Sequence, residues 1–341
     1  MIHRLNFFSL VTLAVMAFLL TSLCGTTTTF AQETKASDQA VIVVVGAEGS
    51  DEYREQFKVW AESWQSAASH TQLTTIGLDD KKNESKTQLQ SVLAKAANAE
   101  GLEEVWLVMI GHGTFDGKRA KFNLHGVDIQ ADELKQALSP LKQRIVILNC
   151  SSSSSPFINA LSGSNRVIVT ATKDGYQYNF TRFGRYLSDS IDDPTIDLDK
   201  DGQTSVLEAF CAASRGVNDF YQQENRIATE HALLDDNGDS KGTPANWFDG
   251  VRVNRKSKKG LPDGLLANQV FLNRRGIENS LSAEDRKTRD QLETQLEQIR
   301  SSKGKLDETQ YLLKIEPIMV QLAQLYEKAG AKSDEALQAD K

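Results

Sequence analysis

Two short stretches of this 341-residue chain carry side chains able to attack an amide carbonyl. The first is Gly111-His112-Gly113, directly after the apolar run VWLVMI at 105–110. The second is Asn149-Cys150, directly after the run RIVIL at 144–148 and followed by serines at 151–155 and Pro156. A cysteine attacks carbonyls as its thiolate; a histidine within hydrogen-bond reach lowers its pKa and later protonates the leaving group. Glycines on both sides of His112 let a substrate backbone come close, and the N–H groups of Gly113 and Cys150 can then serve an oxyanion. The same residues have plainer uses, because buried cysteine commonly fills cores and a lone histidine commonly packs.

A second chemistry is written in acidic loops. Asp197, Asp199, Asp201 and Glu208 occupy the first, third, fifth and twelfth places of a stretch with Gly202 sixth, the spacing of an EF-hand calcium loop. Gln203 adds a carbonyl, and Glu208 enters from the first turn of a helix. The ligand expected is a structural calcium ion. The plain alternative is an Asp/Gly turn followed by a solvated helix cap. Asp235-Asp236-Asn237-Gly238-Asp239 forms another acidic loop beside His231 but lacks a twelfth-place acid. It reads as a second calcium loop, as part of the first site, or as a polar turn.

The elements that must position these groups alternate. Strands are expected at 41–45, 72–76, 105–110, 144–148 and 166–170. Helices are expected at 51–68 with Asp51 as cap, and at 86–97, 131–138, 181–188 and 205–221. Strands alternating with helices imply an α/β fold: a mostly parallel sheet with helices on both faces. Ligand sites in such sheets form beyond the carboxyl ends of the strands, so His112 and Cys150 are expected on one rim. This domain is expected over 38–240, with the acidic loop at 197–208 inside it. A loop-rich extension follows at 241–277, with 265–272 as a short strand or irregular packing. A C-terminal helical hairpin is expected at 278–330, its second helix interrupted or kinked at Pro317, and then a disordered tail at 331–341.

Hydrophobic content of 40% and charged content of 25% suit a globular chain. A net charge of −7 argues against a nucleic-acid partner. His3 and Arg4, the apolar core at 7–20 and Thr29-Phe30-Ala31 make a cleavable signal at 1–31. The protein is therefore expected to be exported, periplasmic or extracellular, with no stable membrane span after signal removal. Removing those residues leaves Cys150 and Cys211. Cys211 falls on a helical apolar stripe and reads as a core residue.

VWLVMIGHGTFDG followed by RIVILNCSSSSSPF resembles the legumain and caspase type of cysteine peptidase, the caspase-hemoglobinase fold, and is most similar to secreted bacterial legumain-like proteins. The resemblance covers about 41–221. It implies His112 as base, Cys150 as nucleophile and Gly113 as an oxyanion donor. RVIVTATKDGYQYNFTRFGRYL resembles the strand and loop that shape the specificity pocket, which makes Asp174, Tyr176 and Asn179 candidates by position. The activity implied is an exported cysteine endopeptidase acting on a peptide or protein substrate through a thioester. Where those peptidases carry a glycine a few residues past the cysteine, this chain has serines and Pro156. A second expectation therefore stands beside the first: a catalytically degenerate binding or scaffolding protein with a structural calcium loop, meeting a protein partner through its helical hairpin.

Overall fold

In chain order the strands are β1 (Gln39–Val45), β2 (Gln72–Ile76), β3 (Glu104–Ile110), β4 (Gly113–Phe115), β5 (Ala120–Phe122), β6 (Ile129–Gln130), β7 (Arg144–Asn149), β8 (Arg166–Thr170), β9 (Leu233–Asp235), β10 (Thr243–Pro244) and the small hairpin β11 (Phe248–Asp249) and β12 (Arg252–Val253). The helices are α1 (Asp51–Ala67), α2 (Ser85–Ala97), α3 (Ala131–Leu138), α4 (Pro156–Leu161), α5 (Phe183–Ser190), α6 (Val206–Gln223), α7 (Gly276–Ser280), α8 (Ala283–Ser301) and α9 (Glu308–Ala339). The computed structural model describes residues 37–78, 84–254 and 261–339, so the expected signal segment lies outside the described residues.

Seven strands form one sheet in the order β10-β9-β8-β7-β3-β1-β2. β2, β1, β3, β7 and β8 run parallel; β9 and β10 extend the β8 edge antiparallel. The fold class is thus the α/β, mostly parallel one expected. All seven residues of β1 and all seven of β3 are buried, as a parallel strand covered on both faces requires. Alternate side chains enter two separate cores. Val41, Val43, Val45, Trp106, Val108 and Ile110 join Phe57, Trp60 and Trp64 of α1 and the apolar sides of α5 and α6. Ile42, Val44, Leu107, Met109 and Ile147 join Leu89 and Leu93 of α2 with residues of α3 and α4. Among the described residues, no helix is long and apolar enough to cross a membrane.

Several boundaries differ from expectation for local reasons. Ser50, not Asp51, caps α1: its side chain accepts from the Tyr53 N–H, while Asp51 and Glu52 sit in the first turn, where acids suit the helix dipole. α5 begins at Phe183 because the Thr181 hydroxyl is already bonded to the Cys150 carbonyl at 2.6 Å. The stretch at 265–272 carries a short 3-10 turn, Ala267–Gln269, and a single bridge from Phe271 to Ser205. Pro317 does not interrupt α9; it lies inside one continuous helix that runs on to Ala339, beyond the point where a disordered tail was expected.

The hairpin closes on itself through Leu292, Leu296, Ile318 and Leu322, and Lys328 reaches Asp285 at 2.9 Å. It docks on the sheet mainly through charge. Arg286 meets Asp38 at 2.6 Å and Glu103 at 2.8 Å, and Asp290 meets Arg144 at 2.6 Å. Arg289, 4% exposed, pairs with Glu278 and Asp290. These contacts lie where β1, β3 and β7 begin, at the end of the sheet opposite the rim. A buried ion network adds little net stability, yet losing one partner strands the others. Arg289→Ala should therefore lower unfolding stability by about 3–5 kcal/mol in urea, and a change below about 1 kcal/mol would show that the network does not hold the hairpin.

Candidate functional site

The rim is built by strands that end in register. Gly46 N–H bonds Ile110 O at 2.8 Å and Cys150 N–H bonds Met109 O at 2.9 Å, so the residues after β1, β3 and β7 lie side by side. His112 is held there firmly. Its Nε2 lies 3.2 Å from the Glu48 carbonyl, which can only accept, so Nε2 carries the proton and Nδ1 is the basic nitrogen of the neutral ring. Tyr53, Phe57 and Phe180 surround the ring with centroids 4.9, 5.4 and 6.1 Å away. Burial pushes the imidazole pKa down, and the Glu48 carbonyl offsets this in part.

Cys150 stands differently from expectation. Its side chain is 0% exposed and belongs to the core beneath α1, α5 and α6. Strand alternation is the reason: Cys150 shares the parity of Val146 and Leu148. The thiol points back at the Leu148 carbonyl at 3.8 Å, and burial, with the Glu230 charge adding to it, pushes its pKa up to about 12. A Cβ at Gly184 would stand 2.8 Å from the Cys150 Cβ, which leaves no slack around the side chain. A thiol placed so is inert.

The expected oxyanion donors are also occupied. The Cys150 N–H completes the sheet bond to Met109. The Gly113 N–H donates to Ser152 Oγ at 3.1 Å, and that hydroxyl donates in turn to the Gly113 carbonyl at 3.1 Å. Glycine is needed at 113 because a Cβ there would meet the Ser152 carbonyl at 2.3 Å and Ser151 Oγ at 2.9 Å. Ser151 and Ser152, not Cys150, contact Gly113, the histidine's neighbour. Most of the serines' polar groups are bonded within the turn or to the loop after β8. Ser151 Oγ donates to Asn149 Oδ1 at 2.6 Å, Ser153 N–H to the Gln177 carbonyl at 2.9 Å, and Ser155 Oγ to the Lys173 carbonyl at 3.0 Å.

The three specificity candidates lie in the loop after β8. Asp174 accepts from the Tyr176 N–H at 2.8 Å and lines a cavity of about 460 Å³ with Phe115, Arg119 and Ser155. Tyr176 is 69% exposed, and Asn179 is exposed as well.

The acidic loop comes together in part. One carboxylate oxygen each from Asp197, Asp199 and Glu208 lies within 4.8 Å of the others. Asp197 also receives the N–H groups of Asp201 and Gly202, and Gly202 has φ +89°. Asp201 sits close by: burial first, then the Asp199 charge, pushes its pKa up to about 6. Gln203 turns its side chain away, accepting from the Arg275 N–H at 3.1 Å. Glu208, 1% exposed, also forms the capping box of α6 with Ser205. An all-oxygen set with this much uncompensated negative charge fits a hard cation such as calcium. The 235–239 loop is fastened to the segment at 261–267. Asp236 accepts from the Gly264 and Ala267 N–H groups at 2.8 Å, and Asp263 accepts from the Asp236 N–H at 3.1 Å.

Sequence reasoning missed two further groups. Glu48 meets His125 at 3.2 Å and Arg54 at 2.5 Å beside His112. His231 bonds Gln177 across the loop after β8. Neither pair has a local spacing signal; only the fold joins them.

Fold and rim together define an α/β protein whose sheet rim carries a fixed imidazole but a buried thiol. No protein-family model matches the sequence, and no curated protein matches it either. Among solved structures, the Drosophila initiator caspase Dronc aligns with a TM-score of 0.40 at 14% identity, over 61% of this chain and 83% of that one.

Saturating calcium should raise the melting temperature of the protein by mass action, and Asp199→Ala should abolish the rise. The effect should shrink as pH falls through about 6, because protonated Asp201 no longer supports a cation. A rise that persists unchanged in Asp199→Ala would place the ion elsewhere.

Proposed function

We propose that this protein is an exported binding or scaffolding module of caspase-like architecture, without thiol catalysis, whose α6 entry is braced by a calcium ion. One observation carries the reading: Cys150 Sγ is fully buried, with its pKa pushed up to about 12. A cysteine endopeptidase needs that sulfur as a thiolate beside His112 and at least one free N–H for the oxyanion. Supporting the same reading, the Gly113 and Cys150 N–H groups already have partners within the protein. The hairpin offers a surface for a partner, because α9 leaves Leu312, Leu313, Met319 and Val320 between 48% and 65% exposed. Export rests on the segment at 1–31.

Chemistry separates this reading from the peptidase. Iodoacetamide at pH 7.5 should leave Cys150 unmodified in the native protein and label it after denaturation; fast native labelling would overturn the reading. Cys150→Ala should cost about 1–2 kcal/mol of stability through lost packing, and neither it nor Ser151→Ala should remove a peptidase activity from the purified protein. A peptide hydrolysis abolished by His112→Ala together with either of those changes would make the protein an enzyme.

A further inference from the structure

Where the end of β8 meets β9 and the middle of α6, beneath the 3-10 turn Ala245–Trp247, lies a cavity of about 340 Å³. That is a size typical of small-ligand sites. Its apolar wall includes Phe183, Val217 and Trp247; its polar groups include Lys173, His231, Asn218 and Asn246.

The hydrogen bonds fix what the cavity can offer. The Lys173 N–H donates to Gln177 Oε1 at 2.9 Å, so the Gln177 amide has one orientation. Its Nε2 must then donate to His231 Nδ1, 2.6 Å away. A nitrogen that accepts carries no proton, so His231 is a neutral ring whose hydrogen sits on Nε2, and no partner for that nitrogen is present among the described residues. Lys173 is pinned on its other side as well, its carbonyl accepting from Ser155 Oγ at 3.0 Å. Its side chain is exposed and forms no ion pair among the described residues, yet its charge lies close enough to lower the His231 pKa, with burial the larger cause.

Two acids stand nearby: the Asp174 charge acts on His231 in the opposite sense to Lys173, and Glu230 lines the same cavity. Glu230 is 2% exposed, and its oxygens already accept from the Arg182 and Phe183 N–H groups at the start of α5 and from the Tyr221 hydroxyl. Asp174 has one oxygen committed to the Tyr176 N–H. The cavity is bordered by Lys173, a fixed imidazole, two amides and the already hydrogen-bonded Glu230 carboxylate, against apolar walls. Donors and one positive charge call for an anion with two acceptor oxygens and a short apolar stem.

We propose that this cavity binds a peptide carboxylate, either a free C-terminus or an acidic side chain, between Lys173 and His231 and beneath Trp247. The site goes beyond the rim reading and stands whether or not the rim hydrolyses anything.

Calorimetric titration of the full protein with three acetylated tetrapeptides tests it: tetra-alanine with a free carboxyl terminus, the same peptide amidated, and an amidated peptide ending in aspartate. At least one carboxylate peptide should bind, and the amidated tetra-alanine at least about tenfold more weakly, a ratio worth about 1.4 kcal/mol. Which carboxylate peptide binds tells the terminus from the side chain. Lys173→Ala and His231→Phe should each weaken binding about tenfold or more. Lys173 is exposed, so its variant decides the matter if His231→Phe fails to fold. Equal binding of all three peptides, no binding of any, or undiminished binding by Lys173→Ala would overturn the proposal.

Discussion

Complete burial of the central strands governs everything at the rim. Along β1, β3 and β7 each apolar side chain belongs to one of two dry cores, assigned by its parity in the strand. That assignment does not stop where the strand does, because the Cys150 N–H still bonds Met109 and holds one more residue in register. Cys150 therefore follows Val146 and Leu148 into the core under α1, α5 and α6. A thiol is small and apolar enough to be packed there at little cost. The same geometry sends Asn149 and Ser151 to the other side, and their mutual hydrogen bond ties off the strand end.

The polar crowd after Cys150 then has a physical purpose. Residues 151–154 are all 2% exposed or less, and a buried turn must satisfy its backbone groups without water. Serine suits this task, since one short hydroxyl both donates and accepts. Ser152 does both with Gly113. Ser153 takes φ +51° at the tightest point, a conformation more often left to glycine. Nearly every donor at the strand ends is consumed internally. Transition-state stabilisation needs donors aimed at developing charge, so a turn saturated in this way is built for shape. Among the described residues, the buried side-chain atoms Ser153 Oγ and Asn149 Nδ2 have no partner.

The main elements were legible in the sequence because their signals were strong. Runs such as VWLVMI and RIVIL have no reading but buried strand between turn signals, and the helices of α1 and α6 announce themselves by period. The weaker elements were not: β9 and β10 are three and two residues long and exist because β8 offers an open edge. His112 was found through Gly111 and Gly113, and Asp197, Asp199 and Glu208 through their spacing. Cys150 was misplaced by motif, although the parity of RIVILNC already pointed its side chain toward the α1 core. His231 was read only as a neighbour of the 235–239 loop; its pairing with Gln177 was invisible, being made by the path of the chain and not by any local pattern.

That path makes the rim and the lateral cavity one construction. The segment between β8 and α5 is fastened at each end by groups from the other regions. Ser153 and Ser155 of the serine turn hold Gln177 and Lys173 through backbone bonds, Thr181 holds the Cys150 carbonyl, and Glu230 holds the first N–H groups of α5. A carboxylate that places α5's N-terminus satisfies orphan donors that no residue of α5 itself can reach. Because Lys173 and Gln177 contribute backbone to the serine turn and side chains to the cavity side, the turn cannot shift without moving them. The serines therefore do more than fill a turn: they set where Lys173 and the fixed His231 imidazole stand beside the cavity.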